Sequence, residues 1–284
     1  MEIGIQPVVY ETHMHTPLCR HAEGEPHEYA EVGRQRGLKG ITVTCHNPLP
    51  DGINSGTRMY PHQFEEYLDL VARTRSRLEG EVDVLLGLEA DFLPGLEAWV
   101  ERQLNSAGFH YVLGSVHPQL EEYWERYWTD DPFAYQLIYF ENLALAAESG
   151  LYDCLSHPDL VKNITPDAWD YDRVESDVLR SLDRIARTGI AMELNTSGLN
   201  KKIREMNPNQ RMLRAMRERE IPVVVGADAH TPARVADRYL DAYDLLEQAG
   251  YSEVSYFLDR ERQTLPIDVA RRSLEEAQFT TAAD

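Results

Sequence analysis

Short apolar runs rich in β-branched residues alternate with helical patterns along most of this sequence. Between the runs lie stretches with the apolar spacing of amphipathic helices, such as HQFEEYLDLVARTRSRLEG (62–80), and several end in a glycine just before the next run. Seven runs have the length and composition of strands: VVYETHMHT (8–16), GITVTCHN (40–47), DVLLGLEADF (83–92), YVLGSVH (111–117), DCLSHPDL (153–160), IAMELNTS (190–197) and VVVGADAH (223–230). Strands that alternate with helices predict parallel β-α units.

The seven units follow one another without a linker or a break in composition. We therefore predict an α/β fold in a single domain over residues 1–284, with a core from about residue 8 to residue 270. The polar C-terminal segment EEAQFTTAAD (275–284) is expected to be a frayed tail. The units fit either a closed barrel or an open doubly wound sheet, and the positions of the histidines favour the barrel.

Seven of the ten histidines lie at or just after the C-terminal ends of predicted strands. They are His13, His15, His21, His46, His117, His157 and His230. Glu89 and Asp228 occupy matching positions on two of the strands. Barrel enzymes build their active sites from this end of several strands, because all the strand ends meet at one mouth. His27, His62 and His110 lie elsewhere, and we interpret them as ordinary helix-start or surface residues.

The spacing of the histidines gives a second argument. His13 and His15 are two residues apart on one strand, so their side chains point to the same face. Asp228 and His230 repeat this arrangement on the last strand, which would neighbour the first in a closed barrel. Imidazole and carboxylate groups are common ligands of zinc, manganese and iron. The combination therefore predicts a metal site at the barrel mouth.

Some neighbouring residues are candidates for supporting roles. Glu11 lies two residues before His13 on the same face and is a candidate to orient a ligand histidine through its far nitrogen. Asp91 follows Glu89 by two residues, and it could be a ligand, a partner of a ligand or a helix cap. The aromatic run YWERYW (123–128) could line a pocket or pack as a loop.

Net charge limits the partners that the chain can take. The sequence has 28 basic and 48 acidic residues, a formal charge of −20. This argues against a nucleic-acid partner, which requires a basic surface to replace counterions. It does not argue against an anionic substrate, because bound divalent cations can invert the local field.

Cysteine usage and hydropathy predict a cytoplasmic protein. No run approaches the roughly 18 apolar residues that a membrane span requires, and the N-terminal segment lacks the pattern of a signal peptide. The three cysteines, Cys19, Cys45 and Cys154, cannot all pair and form no CxxC motif. A reduced setting is the simplest interpretation.

Six motifs resemble the polymerase-and-histidinol-phosphatase (PHP) family. They are HTPLCRHAEG (15–24), GLEADF (87–92), GSVH (114–117), SHPDL (156–160), ELNTSGL (193–199) and GADAH (226–230). They occur in the family's order, and the resemblance extends from about residue 8 to residue 235. It implies a distorted (β/α)7 TIM-like barrel with a trinuclear metal centre. The opening motif differs from the family's D-x-H-x-H, because Glu11 replaces the aspartate.

The resemblance also implies three sets of ligands for three divalent ions, which would be zinc, manganese or iron. The first set is His13, His15, Glu89 and Asp228. The second metal shares Glu89 and is completed by His117 and His157. The third set is His21, His46 and His230. All nine positions carry a suitable side chain in this sequence.

These sets suggest a mechanism for phosphate-ester hydrolysis. A hydroxide that bridges two metals would attack phosphorus, and the metals would hold the phosphoryl oxygens. Glu89 and His117 would act by shaping this centre, while Asp228 or a metal-bound water would protonate the leaving alkoxide. Lys162 and Lys201 are candidates to bind the phosphate.

The leading hypothesis is hydrolysis of L-histidinol phosphate to L-histidinol and phosphate, a step of histidine biosynthesis. One alternative is a PHP phosphoesterase that acts on another small phosphorylated metabolite or on a nucleotide. A second alternative is a metal-dependent amidohydrolase, which also begins with HxH and ends with an aspartate but has no role for the third set. A content near three metal ions per chain would support a PHP phosphoesterase, and a content near one would support an amidohydrolase. A homo-oligomer is compatible with the sequence.

Overall fold

The computed structural model describes residues 6–50, 53 and 56–281. Within these residues, nine strands form one sheet in sequence order. They are β1 (Tyr10–Glu11), β2 (Gly40–Val43), β3 (Asp83–Asp91), β4 (Tyr111–Ser115), β5 (Cys154–Leu155), β6 (Ala191–Asn195), β7 (Val223–Gly226), β8 (Glu253–Leu258) and β9 (Glu261–Pro266). Strands β1 to β8 pair in parallel, and β8 pairs with β9 antiparallel.

Helices connect the parallel strands. They are α1 (Pro26–Gln35), α2 (Phe64–Arg77), α3 (Glu97–Leu104), α4 (Glu121–Tyr127), α5 (Pro132–Glu148), α6 (Tyr171–Ala186), α7 (Gln210–Glu218), α8 (Tyr239–Ala249) and α9 (Ile267–Thr281). Of the segment 275–284, which we expected to fray, residues 275–281 are the last turns of α9, and residues 282–284 lie outside the described part of the chain. In the described part of the chain, no helix combines the length and the apolar character that crossing a bilayer requires.

Helix α6 illustrates how the sequence forms these elements. Its apolar residues Val174, Val178, Leu182 and Ile185 recur every three or four positions, and all four are fully buried. This spacing places them on one stripe that faces the sheet. The carboxylate of Asp170 accepts a hydrogen bond from the first turn, which satisfies a backbone donor at the helix N-terminus.

The first seven strands close into a barrel at their carboxyl ends. Just beyond β1 and β7, Met14 and Ala229 form a parallel bridge. The amide of His15 donates to the carbonyl of Ala229 over 2.9 Å, and the amide of Ala229 donates to the carbonyl of His13 over 3.0 Å. The predicted (β/α)7 barrel is therefore confirmed, and its closure joins the two strands that carry HxH and DAH.

The β8–β9 hairpin is an addition that the sequence pattern did not predict. At the opposite end of the barrel, β8 pairs with β7, and Tyr256 of β8 stacks on Tyr10 of β1 with ring centroids 5.2 Å apart. The hairpin turn is Asp259–Arg260, and both residues have positive φ. Such turns usually contain Asn-Gly or Asp-Gly. Strand β9 is also polar and largely exposed, so it lacks the apolar run by which the other strands were predicted.

Candidate metal centre

The carboxylate of Glu89 lies at the centre of the predicted ligands. Glu89 is near the C-terminal end of β3 and is fully buried. Its Oε2 atom is 2.6 Å from Nδ1 of His46, 3.5 Å from Nε2 of His13 and 3.6 Å from Nε2 of His15. Three imidazoles from the ends of two neighbouring strands thus surround one carboxylate oxygen.

The other oxygen of Glu89 faces a different group of side chains. Oε1 is 3.1 Å from Nε2 of His157 and 3.4 Å from Nε2 of His117. Oε1 also accepts a hydrogen bond of 2.7 Å from the hydroxyl of Ser115, which helps to fix the carboxylate plane. The two oxygens therefore point to two separate sets of histidines, as a bridging carboxylate would.

Asp228 lies on the side of the mouth where β1 and β7 meet. Its Oδ1 is 3.1 Å from Nε2 of His15 and 3.6 Å from Nε2 of His13. Its Oδ2 accepts a hydrogen bond of 2.9 Å from the hydroxyl of Ser197. Asp228 has φ +49°, and His157 has φ +24°, both in the left-handed region that non-glycine residues rarely adopt. Such backbone strain clusters at functional sites.

His21 and His230 face each other at the outer edge of the mouth. The ring Nδ1 of His21 lies 2.8 Å from the carbonyl of Cys19, and Nδ1 of His230 lies 3.0 Å from the carbonyl of Asp228. Carbonyls only accept, so each Nδ1 carries a proton. In neutral rings both Nε2 atoms then present lone pairs, and they lie only 2.9 Å apart. Two lone pairs at this distance repel unless a cation or a proton lies near both.

Distances among the ligand atoms gather the nine predicted side chains into overlapping groups. Within each of three groups the ligand atoms lie within 4.8 Å of one another: His13, His15 and Asp228; Glu89, His117 and His157; and His21, His46 and His230. Two overlapping groups meet the same criterion: His15, His46 and Glu89; and His15, Cys19 and His230. All nine predicted side chains therefore converge on one mouth.

The centre contains buried polar atoms that the described protein leaves without a hydrogen-bond partner. They are Nε2 of His13, Nδ1 of His15, Nδ1 of His46 and Oε2 of Glu89. The last two are 2.6 Å apart but are not in hydrogen-bonding geometry. An unpaired buried polar atom costs about 1–3 kcal/mol. Nitrogen and carboxylate donors in this arrangement fit divalent metal ions, which would satisfy these atoms.

A second glutamate, which we did not identify as a site residue from the sequence, orients His13. Glu193 is in the middle of β6 and is fully buried, and its Oε1 is 2.7 Å from Nδ1 of His13. Its Oε2 accepts from the backbone amide of His157 and from the side chain of Asn195. The one signal in the sequence was a glutamate within an otherwise apolar strand, since an isolated buried carboxylate requires a partner.

Glu11 does not have the role that we predicted for it. Its carboxylate contacts no histidine ring and instead accepts from the backbone amides of His13, Ala227 and Ala236 and from the hydroxyl of Tyr239. These bonds tie β1 to the segment after β7. Glu11 therefore holds the two strands that carry ligands, while Glu193 orients the His13 ring.

Asp91, Arg58 and His117 form a buried group behind the second set. Oδ1 of Asp91 is 2.5 Å from Nδ1 of His117, and Arg58 donates to both oxygens of Asp91 over 2.6 and 2.9 Å. Because the Arg58 and His117 partners outweigh the effect of burial, the pKa of Asp91 is lowered to about 2. An ionised Asp91 accepts a hydrogen bond from the Nδ1–H group of His117, and Nε2 of the same ring is then directed at Glu89. No motif in the sequence indicated this role for Arg58.

The carboxylates of the centre are ionised in the metal-free protein. Burial would raise the pKa of Glu89, but the imidazoles of His46 and His13 hold this pKa well below its usual range. Burial also opposes ionisation of Asp228, yet the charge of His13 and the hydrogen bond from His15 hold its pKa well below the ordinary value.

The imidazoles divide into charged and neutral rings. Burial would lower the pKa of His13, but Glu193 and Asp228 raise it well above the ordinary value. Despite burial, the hydrogen bond to Asp228 and the nearby carboxylates raise the pKa of His15 to about 9. Burial and the charge of His15 lower the pKa of His230 to about 3. In the metal-free protein, protons on His13 and His15 therefore balance the negative charge of the carboxylates, as bound metal ions otherwise would.

Lys162 does not lie where a phosphate could reach it. Its side chain is fully buried, and its ammonium group contacts Oδ2 of Asp159 at 2.9 Å, the carbonyl of Met206 at 2.9 Å and Oε1 of Glu205 at 3.1 Å. These acceptors use its three N–H donors, so the structure argues against our prediction for Lys162. Lys201 is partly exposed and close enough to Asp228 to lower its pKa, which is compatible with a role at the mouth.

The aromatic run 123–128 packs rather than lining a cavity. Trp124 stacks on Trp128 with centroids 4.0 Å apart, and both rings meet Tyr135 edge-on. The hydroxyl of Tyr135 donates to the carbonyl of Pro118, which directly follows His117. The aromatic group therefore supports the loop that carries a ligand.

Comparisons with known proteins show what this chain is similar to. The profile of the PHP domain family matches residues 11–197. A probable histidinol-phosphatase of Deinococcus radiodurans is 38% identical over 256 residues, which cover 87% of this chain and 95% of that protein. The histidinol-phosphatase of Bacillus subtilis is 25% identical over 266 residues, which cover 80% of this chain and 95% of that protein.

A solved structure has the same fold. The histidinol phosphate phosphatase of Lactococcus lactis, complexed with zinc, L-histidinol and phosphate, superposes with a TM-score of 0.72 at 18% identity. The match covers 90% of this chain and 98% of that one. At this identity the likeness establishes the fold, and the ligands of that crystal belong to that protein.

Proposed function

This chain belongs to the PHP family, and we propose that it is a metal-dependent phosphatase that hydrolyses L-histidinol phosphate to L-histidinol and phosphate. The observation that carries the proposal is the convergence of all nine side chains into three ligand sets at one barrel mouth. The relatives from Deinococcus radiodurans and Bacillus subtilis, each matched over 95% of its own length, are a probable histidinol-phosphatase and a histidinol-phosphatase, which supports this substrate.

Three divalent ions fit the three sets, and zinc, manganese and iron are compatible with these donors. Bound ions would lower the pKa of a coordinated water toward neutrality and neutralise the phosphate dianion. Glu89 would connect two ions, because its oxygens face different histidines. Glu193 and Asp91 would hold His13 and His117 in the tautomer that keeps Nε2 free.

Basic residues on the loops around the mouth support an anionic substrate in spite of the acidic chain. The loops that follow β1, β2, β6 and β7 carry Arg20, Arg58, Lys201, Lys202, Arg204, Arg234 and Arg238. Partly exposed Lys201 is the candidate to meet a phosphate from solution. Arg20 is exposed but lies over the ring of Tyr60, 3.7 Å from its centroid, and Arg58 is committed to Asp91. Of these cations, Arg234 and Arg238 pair with Asp237 and Asp241, and the remaining ones would attract an anion to the mouth.

The leaving alkoxide requires a proton. Asp228 is ionised in the metal-free protein, and Ser197 donates to its Oδ2. This state suits Asp228 to hold an ion rather than to deliver a proton. Of the two donors that the sequence left open, water is therefore favoured.

The test is a phosphate-release screen over small phosphorylated metabolites and nucleotides, with metal-loaded enzyme and L-histidinol phosphate included. We expect L-histidinol phosphate to have the highest kcat/KM, and His117→Ala to abolish turnover while circular dichroism stays native. A clear preference for another phosphate ester would assign the site to a different PHP phosphoesterase. Cleavage of amides without phosphate release would contradict the reaction class.

The setting of the enzyme follows from this proposal. A biosynthetic phosphatase with three cysteines and an acidic surface is expected to act in the cytoplasm, without a nucleic-acid partner. A homo-oligomer stays a prediction, which light scattering of the purified protein would test.

A further inference from the structure

Two of the three cysteines lie side by side beneath the metal centre. Cys19 and Cys45 are both fully buried, and each thiol is near enough to the other to shift its pKa: Cys45 raises the pKa of Cys19, whereas Cys19 lowers the pKa of Cys45. Cys19 follows β1 and Cys45 follows β2, so the contact joins the ends of two neighbouring strands. The proposed phosphatase chemistry uses neither thiol.

Thr16 holds the two cysteines together. Its carbonyl accepts from the backbone amide of Cys19 over 3.1 Å and from the thiol of Cys45 over 3.7 Å. Its hydroxyl donates to the sulfur of Cys45 over 3.2 Å. Both cysteines are therefore anchored to one residue, which holds the ends of the two strands together.

The same two cysteines adjoin the third ligand set. Cys19 is two residues before His21, and Cys45 directly precedes His46. The thiol of Cys19 also lies within 4.8 Å of ligand atoms of His15 and His230. A change in the separation of the two sulfurs would therefore displace His21 and His46, which belong to the outermost of the three ligand sets.

We propose that Cys19 and Cys45 are a reversible oxidation site whose disulfide removes the metal held by His21, His46 and His230. In the reaction each thiol loses one proton and one electron, and one S–S bond forms. A two-electron oxidant such as the azo compound diamide takes up both protons and both electrons and becomes a hydrazine. The sulfurs must then approach to about 2.05 Å, much closer than two thiols that are not bonded to each other. The segments that carry His21 and His46 move with them.

The test treats the metal-loaded protein with diamide, blocks remaining thiols and digests without reductant. We expect mass spectrometry to find the peptide of Cys19 linked to that of Cys45, and elemental analysis to find the loss of about one metal ion per chain. Phosphate release should fall roughly tenfold or more, as for other disturbed supports of metal ligands. Dithiothreitol with added metal should restore both.

Cys154 supplies the matched control, because it is equally buried but lies on β5 with its thiol directed at the carbonyl of Leu155. Cys154→Ala should behave as wild type, whereas Cys45→Ser should form no cross-link and keep its metal under diamide. The proposal is overturned if Cys19 and Cys45 stay free at a diamide dose that oxidises glutathione. It is also overturned if the cross-link forms while all metal is retained. The cross-link and the metal content are measured without a substrate. The inference therefore rests on the proposed function only for the measurement of phosphate release.

Discussion

Nδ1 of His13 lies 2.7 Å from the carboxylate of Glu193, on the edge of the ring that faces away from the other ligands. Nε2 of the same ring is directed toward Glu89 and Asp228 and has no hydrogen-bond partner among the described residues. A carboxylate on the far nitrogen fixes the tautomer of a ligand histidine and raises its basicity. This contact therefore determines how the first ligand set binds its ion.

Glu193→Gln should weaken metal binding without unfolding the protein. The amide keeps the size of the side chain but not its charge, so His13 loses its ionic partner. We expect metal affinity or kcat/KM to fall about 10–100-fold, as is typical for partners of ligand histidines. Metal titration of the stripped protein measures this, with exposed Glu218→Gln on α7 as the control. Unchanged affinity would show that the contact is only structural.

Gly226→Ala should disturb the same contact sterically. A Cβ at Gly226 would lie 2.1 Å from Oε1 of Glu193 and 2.8 Å from Cβ of His13, so one of them must move. Overpacking of this kind costs about 1–3 kcal/mol, and here it should also reduce metal binding. Gly108→Ala is the matched control, because the added Cβ meets nothing within 4 Å. Equal denaturation midpoints and metal contents for the two variants would contradict this account.

The ligands could be predicted from the sequence because barrel topology brings strand ends together whatever the details of the loops. The strand pattern alone was enough to predict that His117 and His157 lie at the mouth. It was not enough to place the residues that support the ligands. Arg58 comes from the irregular segment between β2 and α2, whose path no periodicity describes. Lys162 follows β5 as expected, but the chain turns so that Asp159 and Met206 enclose its ammonium group.

Arg58 and Asp91 should behave as one unit. Arg58→Met removes the guanidinium partner of the buried carboxylate of Asp91 and leaves only the His117 ring beside it, which should cost about 3–5 kcal/mol of unfolding free energy. The double variant Arg58→Met/Asp91→Asn removes both charges and should recover part of that loss. A double-mutant cycle from denaturant unfolding measures the coupling. Strictly additive effects would mean that the ion pair is not a unit. Asp91→Asn alone should reduce metal binding, because it frees the His117 ring.

Metal binding to the stripped protein should release protons. The pKa of His15 is raised to about 9 and that of His13 well above its ordinary value, so both rings carry protons at neutral pH without metal. Ligand imidazoles must be neutral, so metal affinity should rise with pH up to at least about 9, where His15 loses its extra proton. Calorimetry in buffers of different ionisation enthalpy counts the protons. A metal affinity that does not change between about pH 6 and pH 9 would contradict the charged state of these two rings.

Metal stoichiometry of the wild-type protein and of His21→Ala, measured side by side, tests the central claim most directly. Three ligand sets should bind about three divalent ions per chain, and His21→Ala should bind about two while the sets around Glu89 stay filled. A wild-type content near one ion per chain, unchanged by His21→Ala, would contradict the account.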